Sequence, residues 1–409
     1  MRIRPFTGLV PAPRFASAVA AVPYDVVNRE EAYELAKDNP LNLLHVDRAE
    51  IDLDDDIDPY SPAVYAKARE TFLELQQHGV LIRETGPCMY AYRQIMGEHS
   101  QTGLVTVCHT EDYRDEVIKK HEKTRPDKED DRTRLVDTLS ANTGPIFLTY
   151  RSHAGVTALI NTVTENEPPL YDLTASDGVR HQVWRLPLGK CVSITSIFES
   201  DIPCAYVADG HHRAASAFRV SQMRREANPE HNGSEDYNWF LSVLFPGTEL
   251  AILPYNRAVK DLNCLSREEF LEKVGNIFKV ETTTEKVPTQ AGNACMYMKG
   301  QWYKLTWQPS SSASPIDQLD VSILQDQLLK PLLAIDDPRT SKRIDFIGGI
   351  RGTDELEKLV DSRQFSVAFS MYPVTVDQLM AISDADQIMP PKSTWFEPKL
   401  RSGLFIHTF

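Results

Sequence analysis

The sequence holds no C-x-x-C pair; its six cysteines, Cys88, Cys108, Cys191, Cys204, Cys264 and Cys295, are scattered through 409 residues. That spacing excludes the common structural zinc frameworks and predicts reduced, structural thiols rather than a disulfide scaffold. No stretch approaches the roughly 18 apolar residues of a membrane-spanning helix. The start, MRIRPFTGLVPAPRF, has three arginines and three prolines but no apolar run of the kind found in signal peptides, so a cytoplasmic location is expected. Positive charge is in deficit, with 44 Lys and Arg against 58 Asp and Glu and a net charge of −14. Such a balance argues against broad nucleic-acid binding and against anionic membranes. It leaves anionic small molecules open, because a site needs only a few local cations. Also missing are G-x-x-x-x-G-K-[ST], G-x-G-x-x-G and G-x-S-x-G, which removes the usual P-loop, dinucleotide and serine-hydrolase readings.

Hydrophobic residues at 42% and charged residues at 25% are those of an ordinary globular chain, and the length predicts two or three domains. Strand-like and helical stretches alternate. The apolar run Val22–Val27 is followed by Asn28 as an N-cap, with Glu30 and Glu31 in the first helical turn. Residues 50–58, EIDLDDDID, lack the glycine and closing glutamate of an EF-hand and read as a solvated loop. Ser61-Pro62 opens a helix with the stripe Val64/Tyr65, Ala68, Phe72 and Leu75, and Gly79 closes it. Strands are expected near 89–95, 103–108, 146–150 and 205–208 and within 237–259, and helices over 127–140, 214–225, 321–333 and 354–360. The Ser/Pro-rich stretch 308–315 reads as a loop. This mixture predicts an α/β or α+β class.

Two stretches have the residues for chemistry. The first is the strand Ala205–Ala208, which turns through Asp209-Gly210-His211-His212-Arg213 directly into a helix. A helix entered this way presents free backbone N–H groups at the positive end of its dipole, a setting that favours anions. Gly210 allows close approach of backbone to a ligand. His211, His212 and the planar guanidinium of Arg213 add donors, and Asp209 is a candidate ligand for a divalent metal bridging phosphate oxygens. The competing reading is a capped helix with surface histidines. The second stretch is Lys120-His121-Glu122-Lys123-Thr124, followed by Asp130-Asp131-Arg132. Glu122 between cations suits a general base, although those cations lower its pKa; the competing reading is a solvated charged helix face. HEKT lacks the second histidine of H-E-x-x-H. Adjacent histidines on a helix diverge by about 100°, which weakens a metal hydrolase built on Asp209, His211 and His212.

Together, His121-Glu122, the strand Pro145-Ile146-Phe147-Leu148 and the strand–DGHHR–helix unit resemble the free L-serine kinases of the ParB/sulfiredoxin-like superfamily, over roughly residues 115–260. In that superfamily the corresponding turn, GERR in the partition proteins, contacts nucleotide phosphates, and the kinases' catalytic glutamate lies in a His-Glu pair ahead of the first helix. The chain as a whole also resembles a large prokaryotic family of proteins of unknown function. The hallmarks are HEKT with Asp131-Arg132, ADGHHR at Ala208–Arg213, and MPPKSTWFEPK at Met389–Lys399. The resemblance implies a nucleotide-binding mixed core at 113–260, an N-terminal α/β region at 1–112, and a C-terminal α+β region at 261–409 that packs on the core. It further implies a phosphotransferase with ATP or ADP as donor, a small hydroxyl acceptor such as free L-serine, and Mg²⁺ on Asp209. Gly210, His211, His212 and Arg213 would hold the phosphates, with Lys123, Arg132 and Lys120 as further contacts. Glu122, beside His121, would take the acceptor's proton. From its own residues, the aromatic and basic stretch Met389–Leu404 is expected to lie against the core, either simply closing the fold or with Lys392 or Lys399 facing the same cleft as His212. The alternatives are a nucleotide-binding regulatory module without transfer chemistry and a metal-dependent phosphoester hydrolase.

Overall fold

The computed structural model describes residues 1–308 and 314–409, so most of the 308–315 loop lies outside the described residues. The chain gathers into two compact units, residues 1–250 with 398–409, and residues 251–397. The first is built on a mixed sheet with nine strands among the described residues: β1 (Ile3–Arg4), β2 (Tyr90–Met96), β3 (His99–His109), β4 (Ile118–Lys119), β5 (Ile146–Tyr150), β6 (Tyr171–Thr174), β7 (Arg180–Arg185), β8 (Ala205–Asp209) and β9 (Trp239–Pro246). Their order is β4-β8-β5-β9-β3-β2-β7-β6, with β1 beside β3. β8 runs parallel to β4 and β9 parallel to β5, while β8 and β5 are antiparallel. Strands from before residue 112 and strands from 113–250 therefore share one sheet. The compact units do not follow a boundary at 112, and the second begins at Ala251 rather than 261.

Local sequence explains most of the helices around this sheet. α1 (Arg29–Ala36) starts where Asn28 predicts it: the Asn28 side chain accepts from the Glu31 N–H and the Glu31 carboxylate accepts from the Asn28 N–H, both at 2.9 Å. α2 (Pro62–Gln77) buries the expected stripe, though Ser61 makes no side-chain cap bond and Pro62 alone sets the first turn. α3 (Pro126–Leu139) turns Leu135 and Leu139 into the same apolar cluster as α2. A second cluster is formed by α4 (Ala154–Asn166), α5 (Leu188–Ser200) and α6 (His211–Ala227), whose Val156, Ile160, Ile194, Phe198 and Ala214 meet Leu148, Phe240 and Leu244 of the sheet. Burying such side chains contributes roughly 1.5–3 kcal/mol each, which makes the sheet a firm base for the loops at its strand ends. The six cysteines are free and four are buried, as small apolar residues are.

The second unit carries a six-stranded antiparallel sheet, with β10 (Tyr255–Val259), β11 (Lys279–Thr283), β12 (Asn293–Met298), β13 (Gln301–Thr306), β14 (Ile344–Gly348) and β15 (Val367–Met371) in the order β11-β13-β12-β15-β10-β14 among the described residues. α7 (Arg267–Gly275), α8 (Gly352–Asp361) and α9 (Val376–Asp384) accompany it. Two expectations need correction. The acidic stretch 50–58 is only partly solvated: Ala49–Asp52 forms a helical turn, and Glu50 is buried against Arg48 at 2.6 Å. The leucine-rich segment 321–333 is not one helix, because Asp320–Leu324 passes into a wider turn at Gln325–Leu329.

Candidate functional site

Parallel pairing of β4 with β8 sets Ile118 beside Ala205 and Lys119 beside Tyr206. Both strands therefore run out at one edge of the sheet. Ligand sites of sheets with parallel strands form outside such carboxyl ends. Two residues past Lys119 the chain delivers His121 and Glu122, and two past Asp209 it delivers His211. His121, Glu122 and His211 consequently share one small volume, with a potential ligand atom from each within 4.8 Å of the others. The imidazoles of His121 and His211 meet edge to face, 4.6 Å between centroids and 87° between planes. HEKT is not a solvated helix face: residues 120–125 are a loop before α3, and His121 is buried.

The start of α6 is unusual in its chemistry. Its N-cap, Gly210, has φ +91°, offers no side-chain acceptor, and is followed by a first turn without any acidic residue. A Cβ at Gly210 would meet the Arg213 guanidinium at 3.1 Å, so glycine serves both the left-handed backbone and the room for Arg213. Arg213 folds back over the turn, donating to the Pro145 carbonyl and lying 3.6 Å from Asp209. Its buried Nε has no hydrogen-bond partner among the described residues. Lys399 reaches the same Asp209 carboxylate oxygen at 3.6 Å. Burial raises the Asp209 carboxyl, but Lys399, Arg213 and His211 outweigh it and hold the group well below the usual carboxylate range. Burial pushes His121 down to about 4 against a hydrogen bond to the Val207 backbone and the nearby Asp209 charge. Burial, with neighbouring His121, holds His211 far below its ordinary value. Both rings are neutral near pH 7.

The remaining sequence candidates divide. His212 turns away from His211, as the helical geometry predicts, and its Nε2 accepts the Arg125 backbone N–H at 3.0 Å. Arg132 is buried, bonded to Asp131 at 2.8 Å and to the Asp47 carbonyl at 3.1 Å, with its guanidinium 4.0 Å over the Tyr24 ring. Arg132 and Arg213 line one cavity of about 30 Å³ with Tyr24, Asp47, Thr143 and Ser402. Lys123 is exposed in the loop. Lys120 points elsewhere, to the Tyr113 carbonyl and the Glu116 carboxylate, and Lys392 lies 5.6 Å over the Tyr255 ring in the second unit. Sequence reasoning missed Tyr24 and Asp47. Asp47, buried and raised in pKa by that burial against a bond from Thr143 and the Arg132 charge, carries no local motif that would have marked it. A weak signal existed for Tyr24 alone, the lone aromatic in Val22–Val27.

A family model covers residues 3–322 of the chain, under the description "Protein of unknown function (DUF1015)". The chain belongs to this family. No curated protein matches the sequence. Among solved structures, a free serine kinase in complex with AMP is 12% identical, with 73% of this chain and 92% of that one covered at a TM-score of 0.37. SbnI with a C-terminal truncation, from Staphylococcus aureus, is 12% identical over 73% and 87% of the two chains at the same TM-score of 0.37. A conserved hypothetical protein from Pyrococcus furiosus is 12% identical, over 73% and 95%, at 0.35. The family member described here is a mixed α/β protein, and likeness at these scores carries no argument about its activity.

Proposed function

We propose that this member of the family binds a nucleotide through its phosphates at the start of α6 and transfers a phosphoryl group to a small hydroxyl compound. The observation that carries the reading is the uncapped N-terminus at Gly210, flanked by the Arg213 and Lys399 cations. A helix start without a side-chain cap, the positive end of the helix dipole and two cations at one point favour a polyanion. Phosphoryl transfer asks chiefly for this positioning and charge neutralisation. In the reaction the acceptor oxygen attacks the terminal phosphorus of a nucleoside di- or triphosphate, the bridging P–O bond breaks toward the shortened nucleotide, and Glu122 takes the hydroxyl proton. Arg213, His211 and His212 with the Gly210 turn hold the phosphates; Arg132 borders the adjoining cavity, and Lys123 stands at the mouth of the loop. Free L-serine is the first acceptor to test. Asp209, kept ionised by Lys399 and Arg213, would hold Mg²⁺ directly or through water, with nucleotide phosphates and water supplying the other oxygen ligands.

Labelled ATP and ADP, incubated with a panel of amino acids and sugars, test the reading. Label transfer that requires an acceptor supports it. Binding without transfer indicates a regulatory module, and release of phosphate without an acceptor indicates a hydrolase.

A further inference from the structure

We propose that His121, Glu122 and His211 form a binding site for a divalent first-row transition metal, distinct from any ion carried in with a nucleotide. Three ligand atoms of the two-imidazole, one-carboxylate type already lie within 4.8 Å of one another. Sites of this composition hold zinc and related ions and leave positions open for water or substrate. Bond lengths of about 2.0–2.2 Å require the three groups to close by a small side-chain rotation, and Glu122, half-buried within the loop 120–125, is the least enclosed of the three. The donor chemistry is selective: nitrogen ligands suit transition metals and disfavour Mg²⁺.

Two further features fit a metal centre. His211 Nε2 is buried and has no hydrogen-bond partner among the described residues, a costly state for a ring nitrogen in a dry setting that a metal bond would relieve. The His121 ring is held by a hydrogen bond to the Val207 backbone, the kind of support that fixes the tautomer and orientation of a ligating imidazole. Asp209, outside the trio, supplies a negative charge one residue from the turn. Monodentate ligation leaves the second oxygen of Glu122 available for the proton in the transfer reaction.

The test uses the full chain, stripped with a chelator and titrated with Co²⁺ in the absence of nucleotide, with visible d–d absorption as readout and metal analysis of the untreated protein alongside. One equivalent of Co²⁺ with ligand-field bands, displaced by Zn²⁺, is the expected result. Glu122→Gln, at a half-buried position that tolerates the isosteric change, should weaken Co²⁺ binding about 100-fold or more, since even supporting residues of a metal site are worth 10–100-fold. His211→Ala should abolish the bands, and His212→Ala, whose ring faces Arg125, should keep them. Absence of bands in the folded wild type, or a Co²⁺ affinity left unchanged in folded Glu122→Gln, overturns the site. Nucleotide affinity of the stripped protein, measured separately, reports on the α6 site, so failure of one reading is not failure of the other.

Discussion

Helices α6 and α7 begin in opposite ways. At α7 the Ser266 hydroxyl accepts from the Glu269 N–H at 3.2 Å and the Glu269 carboxylate accepts from the Ser266 N–H at 2.8 Å; Thr375 and Gln378 repeat the pattern at α9. Each such cap contributes about 1 kcal/mol by satisfying donors that the helix cannot use itself. At α6 the position is glycine, no side chain caps, and the buried His211 is followed by the half-buried His212 and Arg213 in the first turn. The contrast separates helix starts that serve the stability of the fold from the one that the proposed function assigns to an external anion.

The largest expected effect sharpens this contrast at the chemical end. Glu122→Gln should leave nucleotide binding intact and slow phosphoryl transfer about 10²–10⁴-fold, read by label transfer at saturating acceptor; turnover at the wild-type rate would make Glu122 structural. Next comes Arg213→Ala, which should weaken nucleotide binding by about 1.5–3 kcal/mol in calorimetry while the far-ultraviolet spectrum stays unchanged. Unaltered affinity would move the phosphates away from α6. Gly210→Ala forces a Cβ onto a backbone at φ +91° and against Arg213. Destabilisation of about 1–2 kcal/mol is expected in denaturant melts, together with weaker nucleotide binding. The smallest effect belongs to the other helix: Ser266→Ala should cost about 1 kcal/mol of stability and leave nucleotide affinity as it was. Should Ser266→Ala alter affinity as strongly as Arg213→Ala does, the distinction between the two helix starts would fall.

Much of the first unit was legible because its signals are local. The apolar strand at 205–208, the glycine after it and the absence of any cap residue declare the turn into α6, which starts at His211 rather than 214 because His211-His212-Arg213 already take helical backbone. Asn28 and Pro62 mark their helices for equally local reasons. His121-Glu122 was legible as a motif and not as a place: whether a charged run is solvated depends on β4 pairing with β8, some ninety positions along the sequence, which no local pattern encodes. Lys399 was suggested by a basic, aromatic stretch in an acidic chain, and its 3.6 Å approach to Asp209 distinguishes it from Lys392. Asp47 stayed invisible and Tyr24 nearly so, since a polar residue chosen for a buried network looks the same in sequence as one chosen for water.

The division of the chain has a consequence for the order in which the site comes into being. The first unit is left at Leu250 and resumed at Pro398, so Lys399 can join Asp209 only after residues 251–397 have been made. At about 5–20 residues per second, a nascent chain carries Asp209 opposite Arg213 alone for on the order of ten seconds. The antiparallel pair Ala251–Leu253 and Trp395–Glu397 then sets residue 251 across from residue 397. Once the second unit has folded, its long contour acts as a short tether, and the loop-closure entropy of bringing Lys399 home is that of a few residues, not of the whole insertion. Folding of a unit that contributes no residue to the turn thus decides when the turn receives its second cation.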